Sequence, residues 1–138
     1  VEYDLAHSIT EEPALHIAAI TANTTTVGLT QDSMGYESLT YLVHAGSITD
    51  GTYDIILEES DDPGMVGATL VPADNTLLEL PRFTSVQQNS ARHVGSIGKM
   101  RYQRISIVSI AVTTGGTFGI MAVRGHKKSR PPAETVNV

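Results

Sequence analysis

The sequence predicts an all-β fold, an antiparallel β-sandwich or jelly roll of about eight strands with extended N- and C-terminal arms. Three observations carry that expectation. Apolar and β-branched residues alternate with polar ones over short runs, turn residues punctuate those runs at regular spacing, and no window shows the helical period. At 138 residues the chain is most economically one domain with one core. The expected division is an N-terminal arm over 1–14, a sandwich over 15–126 and a C-terminal tail over 127–138.

The elements follow in order. Residues 1–13, VEYDLAHSITEEP, are polar and acidic, and Pro13 argues against a helix there, so the segment reads as an arm. Residues 15–20 and 24–30 form a first pair of strands, turning at Thr21, Ala22 and Asn23. Residues 39–48 and 53–59 form the next pair. Leu39, Tyr41, Val43 and Ala45 alternate, as do Tyr53, Ile55 and Leu57. A three-residue loop, Thr49, Asp50 and Gly51 with Gly51 left-handed, would align Ala45 with Ile55 and Val43 with Leu57 in a hairpin. Burial selects that register, at roughly 1.5–3 kcal/mol per apolar side chain. Short strands at 67–71 and 76–80 are limited by Pro72 and Pro81, 84–91 is polar loop, and 92–97 is a strand.

Residues 102–125 are the centre of the expected fold. Two β-branched runs flank Thr113, Thr114, Gly115, Gly116 and Thr117, which predicts a long hairpin turning at the two glycines. Its core face would be Val108, Ile110 and Val112 with Gly119, Met121 and Val123. Ile105 and Ile107 are out of phase with Val108, which calls for a bulge between them. The opposite face, with Ala111, Phe118 and Ile120, is a candidate self-association surface unless a second sheet of the same sandwich covers it.

Composition removes several function classes. A net charge of -6 argues against general nucleic-acid binding. There is no cysteine, hence no disulfide or thiolate chemistry. No apolar run reaches the roughly 20 residues of a membrane span, and the acidic start is unlike a signal peptide, so the expectation is a soluble protein used without secretion. Five Tyr, two Phe and no Trp give little for the aromatic platforms of sugar or single-strand binding.

Catalytic and metal patterns are also thin. His7, His16, His44, His93 and His126 have no zinc-type spacing and read as surface or strand histidines. Glu58, Glu59, Asp61 and Asp62 could in principle gather calcium, yet lack the alternate-residue spacing with a central glycine; a solvated turn is the plainer reading. Arg124, His126, Lys127, Lys128 and Arg130 form the one strongly basic stretch, either a solvated tail or a dock for an acidic surface. No nucleophile, base and orienter can be assembled, so no enzyme, metal site or cofactor is expected. Tails this polar cannot repay their ordering by self-burial, so an external partner is the expected support.

Five stretches carry a resemblance: Gly35-Tyr36-Glu37-Ser38-Leu39-Thr40-Tyr41, Thr49-Asp50-Gly51-Thr52-Tyr53, Glu58-Glu59-Ser60-Asp61-Asp62, Arg101-Tyr102-x-Arg104-Ile105 and Thr114-Gly115-Gly116-Thr117. Together they resemble small head proteins of tailed bacteriophages, above all the capsid cement (decoration) family, such as the jelly-roll cement protein of a short-tailed Bordetella phage. The resemblance spans roughly residues 22–126 and rests on turn and strand patterns. It implies a non-enzymatic virion protein on the capsid exterior, present in the host cytoplasm during assembly. Such a protein bridges major capsid protein subunits and is itself a homodimer, with no nucleic acid or membrane partner. The arms would supply capsid contacts through Val1, Tyr3, Leu5, Lys127, Lys128, Arg130, Pro131 and Pro132. A second reading is a phage adhesion module binding a receptor or glycan, with calcium in the acidic loop.

Overall fold

The structure, a computed structural model, describes residue 6 and residues 9–127. Its strands are β1 (Ile9–Ile20), β2 (Thr24–Val27), β3 (Gln31–Asp32), β4 (Tyr36–Ile48), β5 (Thr52–Ser60), β6 (Thr69–Leu70), β7 (Thr76–Leu77), β8 (Arg82–Phe83), β9 (Ser90–Ser96), β10 (Tyr102–Ile110) and β11 (Gly116–Lys127). Two single-turn 3-10 segments, Ala73–Asn75 and Ser85–Gln87, interrupt them. Among the described residues no helix is long and apolar enough to cross a membrane.

The strands form two antiparallel sheets. The first runs β1-β11-β4-β9-β7; the second runs β2-β10-β5-β6, with β3 also on β10 and β8 also on β5. With β2 and β3 counted as one interrupted strand, and β6 and β8 as another, eight principal strands remain besides the short edge strand β7. Their order is that of a jelly roll, in which most connections carry the chain from one sheet to the other. The core lies between the sheets: Leu39, Tyr41, Val43, Ala45, Tyr53, Ile55, Leu57, Phe83, Ile105, Ile107, Phe118 and Ile120 are all buried. Phe118 sits at the middle of an aromatic group, 4.6 Å from the Tyr53 ring and 5.6 Å from that of Phe83 between centroids.

That routing overturns both expected hairpins. β10 pairs with β5, β2 and β3, whereas β11 pairs with β1 and β4, so the two runs of 102–125 lie in different sheets. No bulge separates Ile107 from Val108. Gln103, Ile105, Ile107 and Ser109 point inward in simple alternation, while Ile110 is exposed. On β11 the expected faces are exchanged. Phe118, Ile120 and Ala122 are core, and Met121 is exposed. The candidate self-association surface therefore dissolves: Phe118 and Ile120 are buried against the second sheet, and exposed Ala111 stands apart in the connection after β10.

β4 and β5 likewise belong to opposite sheets, so Ala45 and Ile55, and Val43 and Leu57, reach the core from opposite sides and not as cross-strand neighbours. Gly51 does adopt the expected left-handed conformation, φ +94°. Asp50 fastens this crossing to the one after β10, its carboxylate accepting from the amides of Thr113, Thr114 and Gly115. Those bonds, Thr114 foremost, lower the Asp50 pKa. Gly115, at φ +114°, has its Cα so close to the Ile20 carbonyl that a Cβ would lie 2.0 Å from the oxygen.

Residues 9–14, expected within the arm, belong to a strand. β1 begins at Ile9, pairs with β11 and buries Ala14 completely. Pro13 is tolerated because β1 is an edge strand with register shifts on either side of Leu15. Residues 84–91 are not all loop: Thr84 and Gln87 form a capping box, and β9 starts at Ser90.

Candidate interaction surface at the pole where both chain ends leave

Because β1 and β11 are antiparallel neighbours, Ile9 lies opposite Gly125, and at the same end of the sandwich Lys127 lies opposite Tyr36. Both chain ends thus leave from one pole. Lys127 is the last residue of β11. Val1, Tyr3, Leu5, Lys128, Arg130, Pro131 and Pro132 lie outside the described residues.

Arg124 organises this pole. It follows Phe118, Ile120 and Ala122 in phase on β11, so alternation turns it inward, and only 8% of it is exposed. It is not part of a solvated basic patch. One terminal nitrogen donates to the Asp32 carbonyl at 2.8 Å and the other meets Glu12 Oε1 at 2.7 Å. Its guanidinium carbon lies 5.1 Å from the Tyr36 ring centroid, and the Tyr36 hydroxyl is 3.1 Å from Thr10 Oγ1. One arginine therefore ties the start of β1, the end of β3 and the start of β4 to β11. Next to it the Arg101 guanidinium donates twice to the Asp32 carboxylate, at 2.9 and 2.8 Å. Those bonds, with a further one from the Met34 amide, lower the Asp32 pKa to about 2.

Between the β3–β4 connection and the β9–β10 connection opens a cleft of about 700 Å³, lined by Met34, Tyr36, Ile97, Lys99, Met100 and Gln103 among others. Its polar floor is already engaged. Ser96 Oγ donates to Gln103 Oε1 at 2.5 Å, and the Gly98 amide donates to Ser96 Oγ at 3.2 Å. The Met100 amide donates to Glu59 Oε1 at 3.2 Å. These bonds stiffen the turn that forms one lip, and the apolar rim of Met34, Ile97 and Met100 is suited to contact with another surface.

The acidic run does not converge. Glu58 pairs with Arg104 at 3.1 Å, Glu59 is buried under the cleft, and Asp62 caps its own turn by accepting from the Gly64 amide at 2.8 Å. Among the described residues no three carboxylates or histidines are gathered as metal ligands. His16, His44 and His93 are exposed on separate strands. Neither Glu59 nor Arg124 was recognised from sequence as a buried, bonded residue. The signal was available, since Glu59 continues the inward phase of Tyr53, Ile55 and Leu57 as Arg124 continues that of Phe118.

No protein-family model matches the chain, and no curated protein matches its sequence. Solved structures share its fold. The PBSX exported protein XepA superposes over 88% of this chain with a TM-score of 0.59 at 18% identity, and the present chain spans 39% of that protein's length. A structure of disulfide-linked pili, the Bacillus endospore appendages, superposes over 87% of this chain and 90% of its own, with a TM-score of 0.50 at 12% identity. Both likenesses show the architecture alone. The disulfide linkage of those pili has no counterpart in these cysteine-free 138 residues.

Proposed function

We propose that this chain is a non-enzymatic structural protein of a virus particle, a cement protein that binds the outer surface of a tailed-phage capsid and joins neighbouring major capsid protein subunits. The observation that carries this reading is the departure of both chain ends from one braced pole. A rigid body with two tethers at one end can engage adjacent subunits together, so the second attachment becomes intramolecular and the total affinity exceeds either contact by roughly 10²–10⁴. The sequence resemblance to cement proteins supports the same reading. Against the calcium-dependent adhesion alternative, Glu58, Glu59 and Asp62 are each bonded in a separate place.

The test is binding to assembled shells of the major capsid protein. The full chain is expected to co-sediment with expanded shells, with residues 1–8 and 128–138 protected from protease on the particle and cleaved when free. Deleting both segments is expected to weaken binding at least about 100-fold. Tails equally labile on and off the particle, or undiminished binding by residues 9–127 alone, would overturn the proposal.

A further inference from the structure

We infer that the inner corner of the pole where Ile9 and Lys127 lie binds one water molecule, held by Gln31 Oε1, Tyr41 Oη and Arg124 Nε. These three buried atoms have no hydrogen-bond partner among the described residues. All three residues are more than nine-tenths buried. Buried polar atoms in folded proteins are nearly always bonded, so each exception points to something beyond the chain that bonds it.

The fold carries the three residues to one corner. Ala122 is the cross-strand partner of Tyr41, so Arg124, two residues further along β11, is its diagonal neighbour on the inner face. In the opposite sheet Gln31 pairs with Gln103, and both are buried. Gln31 Nε2 donates to the Pro13 carbonyl at 3.4 Å. Arg124 meets Glu12, the residue before Pro13, and the carbonyl of Asp32, the residue after Gln31. Gln31 and Arg124 therefore grip adjacent residues of β1, one from each sheet. The phenol of Tyr41 spans more than half of the ~10 Å between packed sheets and carries its hydroxyl toward the far one.

The chemistry of the three atoms selects the occupant. Gln31 Nε2 also donates to the Leu29 carbonyl at 3.3 Å, so the nitrogen is the amide atom that faces the carbonyls and the oxygen is the free one. Arg124 Nε can only donate, Gln31 Oε1 can only accept, and Tyr41 Oη can do either. Burial raises the Tyr41 pKa, so the hydroxyl keeps its proton. The guanidinium refuses a cation, and the amide oxygen refuses an anion. A neutral molecule that accepts from Arg124 and donates to Gln31 and Tyr41 satisfies all three, and water is small enough to do so in a close-packed interior. In this place it ties β3 of the second sheet to β4 and β11 of the first, behind the bonds by which Arg124 holds the pole. The site needs no shell and stands independently of the capsid reading.

Tyr41→Phe in the full chain tests it, because the change removes the hydroxyl and keeps the ring. A hydroxyl bonded to water is lost at a cost, so the folding equilibrium constant from urea denaturation is expected to fall at least about threefold. A hydroxyl buried with no partner predicts the opposite, a variant as stable as the unsubstituted chain or more so. Should the variant fold too poorly to measure, a crystal structure of the unsubstituted chain gives the same reading. It is expected to show one ordered water within about 3.2 Å of all three atoms. A loss of less than about threefold or a gain in stability would overturn the proposal. So would direct contact among the three side chains, or an ion or another residue of the chain in the place of the water.

Discussion

β1 and β2 lie on the same flank of the sandwich, each at the edge of its sheet, and they treat that edge in opposite ways. β1 carries Glu11, Glu12 and Pro13 and shifts register on both sides of Leu15. Its backbone is also spent on the other sheet. The Ala14 carbonyl accepts from the Leu29 amide at 2.7 Å, and the Pro13 carbonyl accepts from Gln31 Nε2 at 3.4 Å. β2 has no charge, no proline and no register shift. Edge strands are ordinarily blunted against pairing with other chains by the devices that β1 shows. The difference teaches that protection here is local and unequal: β1 is bolted down, and its neighbour β2 is left bare.

The bolt can be broken most directly at Gly28, where the chain from β2 passes between β1 and β10. A Cβ there would lie 2.3 Å from the Ile105 oxygen and 2.6 Å from that of Ala14, both backbone atoms with little freedom to yield. Gly28→Ala is expected to cost ~3 kcal/mol or more by forcing the two sheets apart along this flank. Urea denaturation would measure it; a loss under about 0.5 kcal/mol, the scale of a neutral surface change, would mean the junction is not tight.

A smaller effect is expected at the pole. Arg124→Met keeps much of the buried volume but leaves the Asp32 carbonyl and Glu12 without their donor, for a cost of about 1–3 kcal/mol. Hydrogen exchange should sharpen the comparison by showing that amides of Ile9 to Glu12 lose protection while those joining β2 to β10 keep theirs. Uniform loss across both strands would show that β1 and β2 open together.

The smallest effect is a pH dependence at Asp32. Its carboxyl titrates near 2 in the folded chain against the ordinary 3.8, so the unfolded chain binds the proton more readily. Stability from the Arg101 pair is therefore complete above the unfolded value and is lost as pH falls from about 4 through about 2. Both side chains are more than a third exposed, and water screens the pair, so the contribution is under ~1 kcal/mol. Asp32→Asn should flatten that part of the acid-unfolding curve, and an unchanged curve would remove Asp32 from the account.

Much of this was legible along the chain. Tyr53, Ile55 and Leu57 share an inward face, as do Leu39, Tyr41, Val43 and Ala45, and both alternations read directly as burial. Glu59 and Arg124 show how far that rule reaches. Each stands at the next inward position after an apolar run, and its charge disguised its place. On β11 the phase was assigned backwards, because Gly119, Met121 and Val123 are nearly as apolar as Phe118, Ile120 and Ala122 and only the larger aromatic separates the faces. Of the candidate contacts, the basic cluster lost Arg124 to the interior and Lys127 ends β11, while the other arm residues lie beyond the described body.

The amino-acid order by itself determined that this is a β-sandwich, where its turns fall and which residues of several strands point inward, because side-chain direction in a pleated strand is a property of nearest neighbours along the chain. Only the tertiary structure decided which strand lies beside which. Two strands that follow each other show the same alternation whether they pair in one sheet or face each other across the core, and the choice rests on contacts between residues far apart in sequence. The placement of Ile9 and Lys127 at one pole, and the contrast between β1 and β2, both come from that choice.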